Sequence, residues 1–140
     1  MFKFIPYFHP MKKVEVVAAV IINQTDILVV QRGKNKHSYI SEKFEFPGGK
    51  LELGESRDDA IKREIQEELK MKIEPFEELI TVEHEYPDFH LTMHAILCRT
   101  ESRDLELTEH IAYKWLSKDK LEGLDWAAAD VPIVELLTKA

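Results

Sequence analysis

Between Glu52 and Glu68 the chain places seven acidic and three basic residues, ending in Arg63-Glu64-Ile65-Gln66-Glu67-Glu68. On a helix Glu64 and Glu68 stand at i,i+4 and Glu64 and Glu67 at i,i+3, so all three carboxylates share roughly one face. Like charges at that spacing destabilise an exposed helix by a few tenths of a kcal/mol per pair. A hard divalent cation removes the repulsion, and Mg²⁺ in particular is held by a few carboxylates, water and substrate phosphates. Arg63 either fixes one of the carboxylates or meets a phosphate. A solvated charged helix face is the plain alternative. Upstream, Pro47-Gly48-Gly49 breaks the chain and lets backbone approach the helix closely, where a free carbonyl can complete a metal shell.

These residues need elements to position them. Ser56, with Asp59 three residues on, resembles a capping box and starts a helix. Ile61, Ile65 and Leu69 give that helix one apolar stripe. Val14 to Ile22 reads as a buried strand, Asn23 to Asp26 as a turn, and Ile27 to Gln31 as the second strand of a hairpin. Gly33 to Lys43 is polar loop, and Phe44 to Phe46 a short extended piece. Leu79 to Glu85 and Leu91 to Thr100 are strands around the turn Tyr86-Pro87-Asp88, and Tyr113 to Leu116 is another. Asp130-Val131-Pro132 opens a last helix, with Asp130 as N-cap. Strands and helices mix without regular βαβ alternation, which predicts an α+β fold or a sandwiched mixed sheet.

The chain has 140 residues and a net charge of −7, which suits one domain and argues against a nucleic acid polymer as partner. An acidic protein that binds phosphates needs a cation as intermediary. The single cysteine, Cys98, lies in an apolar run and reads as a buried thiol. No run approaches the ~18 apolar residues of a membrane span, so the expected location is the cytoplasm, with no membrane partner. Residues 1–10 read as an N-terminal extension, because Met11-Lys12-Lys13 resembles a second start; residues 11–140 then form the domain. The histidines are His9, His37, His84, His90, His94 and His110. His90 and His94 share a strand face, but a zinc site lacks a third ligand there. Trp115 and Trp126 read as core, and Phe44 as core or pocket wall.

One match is specific. Gly49, five residues, Glu55, seven residues, then Arg63-Glu64-Ile65-Gln66-Glu67-Glu68-Leu69 resembles the Nudix box, G-x5-E-x7-R-E-U-x-E-E-x-G-U with U aliphatic. Lys70 stands where the box has its last glycine, and Met71 fills the following apolar position. That glycine ends the helix in a left-handed conformation, so Lys70 there costs about 1 kcal/mol or the helix ends differently.

The resemblance implies an α/β/α sandwich in which a mixed sheet lies between helices and the box forms loop–helix–loop. It implies Mg²⁺, with Mn²⁺ as the alternative ion, on Glu64, Glu67, Glu68 and the Gly48 carbonyl. Gly49 with the pair Glu55 and Arg63 would brace the box. Outside the box, Val16 to Ala19, Gln31-Arg32, Glu45 to Gly49, Tyr86 to Asp88 and Ala129 to Pro132 resemble the MutT-like branch. That branch includes CTP pyrophosphohydrolases and 8-oxo-dGTP diphosphatases, which release a monophosphate and pyrophosphate. The general base is Glu64 or Glu109, the latter in the loop before Trp115. Arg32, Tyr86 and Asp130 are the candidate substrate contacts. An ionised Asp130 only accepts hydrogen bonds, which favours a base with an amino group such as cytosine, while a protonated Asp130 also donates. Other nucleoside diphosphate derivatives are the alternative substrates, and a non-catalytic nucleotide-binding module the alternative role. The assembly is expected to be a monomer or homodimer.

Overall fold

A continuous β-branched run needs burial on both faces, because successive side chains of a strand point to opposite sides. The computed structural model, which describes residues 11–139, supplies both faces. The N-terminal extension and His9 named above lie outside the described residues. The run forms β1, Lys12–Asn23. Gln24 turns the chain with a φ of 57°, and β2, Asp26–Gln31, returns antiparallel with Ile22 opposite Ile27. Next come β3, Phe44–Glu45, β4, Gly48–Lys50, and helix α1, Arg57–Leu69. β5, Glu74–Glu85, and β6, Phe89–Arg99, form a hairpin. After β7, Ala112–Ser117, 3₁₀ turns at 118–123 and 128–130 lead into helix α2, Val131–Thr138.

The sheet runs β3-β2-β1-β6-β5, with β4 also paired to β1 and β7 to β2. β1 and β6 are parallel and the other pairs antiparallel, so the sheet is mixed. Val17, Ala19 and Ile21 pack with Ile61, Ile65 and Leu69 of α1. Ala18 and Val20 face the opposite way, toward Ile133, Val134 and Leu137 of α2. The α+β sandwich expected from the sequence is the one observed. Cys98, Trp126 and Phe44 are core residues, while Trp115 is only partly buried at the edge of the α1-side cluster.

Three local readings need correction. Pro47-Gly48-Gly49 is a kink rather than an end to extended structure: Gly48–Lys50 resumes as β4 on β1, and the Ala19 N–H donates to the Pro47 carbonyl at 2.7 Å. A Cβ at Gly48 would run into the Val17 carbonyl, so only glycine permits this approach. β5 begins five residues earlier than Leu79, at Glu74, and shifts register twice before Ile80; its acidic first half has no alternating pattern to reveal it. Asp130 is the N-terminal neighbour of α2, but its side chain makes no capping bond.

Helix α1 ends as its composition does not favour. Ser56 Oγ accepts the Asp59 N–H at 3.1 Å, so the start is capped as read. At the other end Lys70 adopts φ 55°, ψ 36°, and its N–H reaches the Gln66 carbonyl. The lysine therefore occupies the left-handed position that glycine fills without steric cost. Lys70→Gly is expected to raise unfolding free energy by about 1 kcal/mol, read as a higher urea midpoint at constant slope; an unchanged or lower midpoint would show that the lysine's left-handed backbone carries no strain.

Candidate active site

One guanidinium ties the glycine loop to α1. Arg63 donates from Nε and Nη2 to the two oxygens of Glu55, at 2.7 and 3.0 Å, the bidentate geometry that fixes both planes. Nη2 also reaches the Lys50 carbonyl at 3.1 Å, while Nη1 donates to Glu64 at 2.9 Å and Glu67 at 3.3 Å. The hydrogen bonds from Arg63 hold the Glu55 carboxyl below the usual range, against the opposing effect of burial. Gly49 closes the unit: a Cβ there would occupy the space of the Glu64 carboxylate. Of the two uses foreseen for Arg63, bracing carboxylates is the one seen.

Two clefts adjoin this unit and meet at Arg32, Glu45, Gly48 and Glu68. The first, about 270 Å³, is walled by Val16, Ala18, Phe46, Leu91 and Met93, with Tyr39, Tyr86 and Asp130 around them. The second, about 210 Å³, is polar, adding Lys34, Asn35, Glu109 and His110. Glu109 arrives there because its loop is pinned to the end of α1: the Glu106 N–H donates to the Leu69 carbonyl at 2.9 Å, and Thr108 Oγ1 to the Glu68 carbonyl at 2.8 Å.

Charge is crowded where the clefts meet. Burial, then the nearby carboxylates of Glu109, Glu64 and Glu45, push the Glu68 carboxyl up to about 8. Its Oε2 is buried and has no hydrogen-bond partner among the described residues. Burial also acts to raise Glu45, but hydrogen bonds from His110 and Arg32, both at 2.9 Å, outweigh it and leave the group lowered. An orphaned oxygen amid hard oxygen donors fits a divalent cation. The three box glutamates do not yet converge: Glu67 is exposed beside Arg63, and among the described residues no three His, Cys, Asp or Glu side chains are arranged as metal ligands.

Asp130 sits at the base of the apolar cleft. It is 4% exposed, and its Oδ1 accepts the Phe46 N–H at 2.9 Å. Burial, with Glu45 nearby, raises its carboxyl well above the ordinary range. Burial thus favours the protonated form of Asp130, which has a donor as well as an acceptor. Tyr86 is buried, and its hydroxyl accepts the Ala129 N–H at 3.1 Å, which holds the start of α2 against the cleft. Arg32 is half-exposed and lines both clefts.

The structure thus gathers Arg32, Gly48, Glu68, Tyr86, Glu109 and Asp130 around the two clefts, and leaves Glu64 and Glu67 on Arg63. Sequence reasoning missed Glu45, Tyr39 and His110. Glu45 had a signal, since it adjoins Phe46-Pro47-Gly48-Gly49; the other two lie in loops whose course no periodicity reveals.

The family model described as NUDIX domain matches residues 17–136. The chain is 31% identical over 130 residues to the 8-oxo-dGTP diphosphatase of Escherichia coli (strain K12), spanning 92% of this chain and 99% of that protein. It is 33% identical over 125 residues to the CTP pyrophosphohydrolase of the same organism, spanning 89% and 91%. Among solved structures, the MutT protein from Methanosarcina mazei Go1 superposes with a TM-score of 0.78 at 26% identity, over 94% of this chain and 97% of that one. The E. coli ORF135 protein does so with a TM-score of 0.77 at 31% identity, over 92% and 91%.

The Glu68 environment sets a pH test. Its carboxyl rises from 4.5 to about 8 on folding, so the folded chain binds the proton more tightly. That stability is complete below the unfolded value and is lost as pH rises through about 8. Metal-free protein should melt at progressively lower temperature from about pH 5 to 8. Glu68→Gln should flatten that decline, and a divalent cation should restore the wild type at high pH but not the variant. A metal response unchanged by Glu68→Gln would remove Glu68 from the cation site.

Proposed function

The chain belongs to the NUDIX domain family and is a hydrolase, and from that premise we propose that it converts nucleoside or deoxynucleoside triphosphates to monophosphate and pyrophosphate with Mg²⁺. The observation that carries this reading is the junction of the two clefts. An apolar slot that holds a hydrogen-bonding acid, Asp130, adjoins a polar, carboxylate-rich cleft at Arg32, Glu45, Gly48 and Glu68. A nucleotide has that same sequence of chemistries.

Glu64, Glu67, Glu68 and the Gly48 carbonyl would hold the cation. When bound it neutralises phosphate oxygens and acidifies water. Arg63 orients two of these carboxylates and keeps the glycine loop against them. Arg32, fixed by Glu45, offers its remaining N–H groups to phosphate oxygens. Glu109, beside Glu68 in the polar cleft, is placed to take the proton from the attacking water. Glu64 is the other candidate base, but Arg63 and Gly49 hold its carboxylate outside both clefts' linings.

In its protonated form, which burial favours, Asp130 would pair with an acceptor next to a donor. Cytosine offers N3 beside its amino group, and 8-oxoguanine offers O6 beside the N7 hydrogen. These are the bases named in the two relatives, CTP pyrophosphohydrolase and 8-oxo-dGTP diphosphatase. Removal of damaged or excess nucleotides from the precursor pool is the corresponding role.

Incubation with Mg²⁺ and plain, oxidised and 5-substituted triphosphates should give monophosphate plus pyrophosphate, fastest on cytosine or 8-oxoguanine. Glu109→Gln and Glu64→Gln should each lower kcat by at least about 100-fold with melting temperature retained. Wild-type turnover in Glu109→Gln would free that residue from catalysis. Hydrolysis confined to diphosphate-linked substrates would replace the triphosphate reading.

A further inference from the structure

The base cleft has an outer wall that the box does not supply. The loop at 33–43 crosses the mouth of the cleft and contributes Tyr39 and Ile40 to its lining. The loop is tied to itself and to its base: Glu42 N–H donates to the Gly33 carbonyl, Gln31 Nε2 to the Glu42 carbonyl, and Asn35 N–H to Ser41 Oγ. Across the cleft, Tyr39 makes the connection. Its ring stacks on Tyr86 with centroids 5.2 Å apart and planes at 22°, and His37 stacks at 5.2 Å and 29°. Its hydroxyl donates to the carboxylate of Asp88, in the turn between β5 and β6. Tyr86 in turn holds the Ala129 N–H one residue before Asp130. A column of rings therefore runs from the 33–43 loop to Tyr86, which is bonded to the residue next to Asp130.

Each part of this arrangement points the same way. A surface tyrosine needs no carboxylate partner, and a stacked ring needs no hydroxyl. Tyr39 has both, and it lines the cleft as well. We propose that Tyr39 is a specificity-determining positioning residue, latched to Asp88, that holds the 33–43 loop as the outer wall of the base slot and so selects for a nucleobase over bare polyphosphate. This rests on the nucleotide reading of the cleft. The polar cleft draws Gly33, Lys34 and Asn35 from the start of this loop, but its Arg32, Glu45, Glu68 and Glu109 come from elsewhere in the chain.

The test is binding rather than turnover. Equilibrium dialysis with Mg²⁺ measures Kd for the α,β-methylene triphosphates of cytidine and 8-oxo-deoxyguanosine, and for inorganic tripolyphosphate, which has no base. Tyr39→Ala should weaken the better nucleotide about tenfold and leave tripolyphosphate unchanged. Tyr39→Phe, which keeps the stack and loses the latch, should weaken it about threefold, and adding Asp88→Ala to Tyr39→Phe should weaken it no further. Unchanged nucleotide binding in Tyr39→Ala, or equal weakening of tripolyphosphate, overturns the proposal. Wild-type protein that binds these nucleotides with the expected dependence on Tyr39 but hydrolyses no triphosphate would overturn the triphosphate reading alone. Wild-type protein that binds neither nucleotide would overturn both.

Discussion

The arrangement depends on carboxylates held closer together than their charges allow. Glu64, Glu67 and Glu68 follow one another on a short stretch of α1, with Glu45 and Glu109 brought in from other elements. Arg63 offsets part of this by engaging Glu55, Glu64 and Glu67 at once. It does not reach Glu68, whose buried oxygen has no hydrogen-bond partner among the described residues. The site is therefore neutralised at the end next to the glycine loop and under-neutralised at the end that faces the cleft. A divalent cation restores the balance on that side.

The rest of the fold follows from placing that helix. α1 must present its acidic face while burying Ile61, Ile65 and Leu69, which requires an apolar sheet beneath it. β1 supplies the sheet face and also receives β4 at the one point where the absence of a Cβ lets the strands touch. The reverse face of β1 is then free to build the apolar cleft with Phe46, Leu91 and Met93. A single strand thus carries the acidic helix on one side and the apolar cleft on the other.

Much of this was legible in the residues. The stripe on α1, the Ser56 cap, the hairpin at 23–26 and the acidic box could be read because each has a local cause: period, cap chemistry or fixed spacing. The first half of β5 could not, since Glu74 to Glu78 are strand only by pairing with β6. The surroundings of Asp130 were equally hidden. Asp130 looks like an ordinary N-cap along the chain, and only tertiary burial raises its carboxyl, against the opposing hydrogen bond from the Phe46 N–H. Tyr39, Glu45 and His110 belong to the clefts through tertiary contacts that no neighbouring residue announces.

The bond from the Phe46 N–H to Asp130 joins residues 84 positions apart. Phe46 stands two residues before Gly48, whose carbonyl belongs to the proposed cation shell. The acid proposed to read the base is consequently bonded to the stretch of backbone that leads into the proposed cation shell. Recognition and chemistry are not separate modules here that evolution or an engineer can exchange one at a time. A residue at 130 that suits a new base must also hold the Phe46 amide where it is, which narrows the acceptable side chains to those offering a buried oxygen acceptor. The range of bases open to this scaffold is then set by the backbone it must support as much as by the pocket it lines.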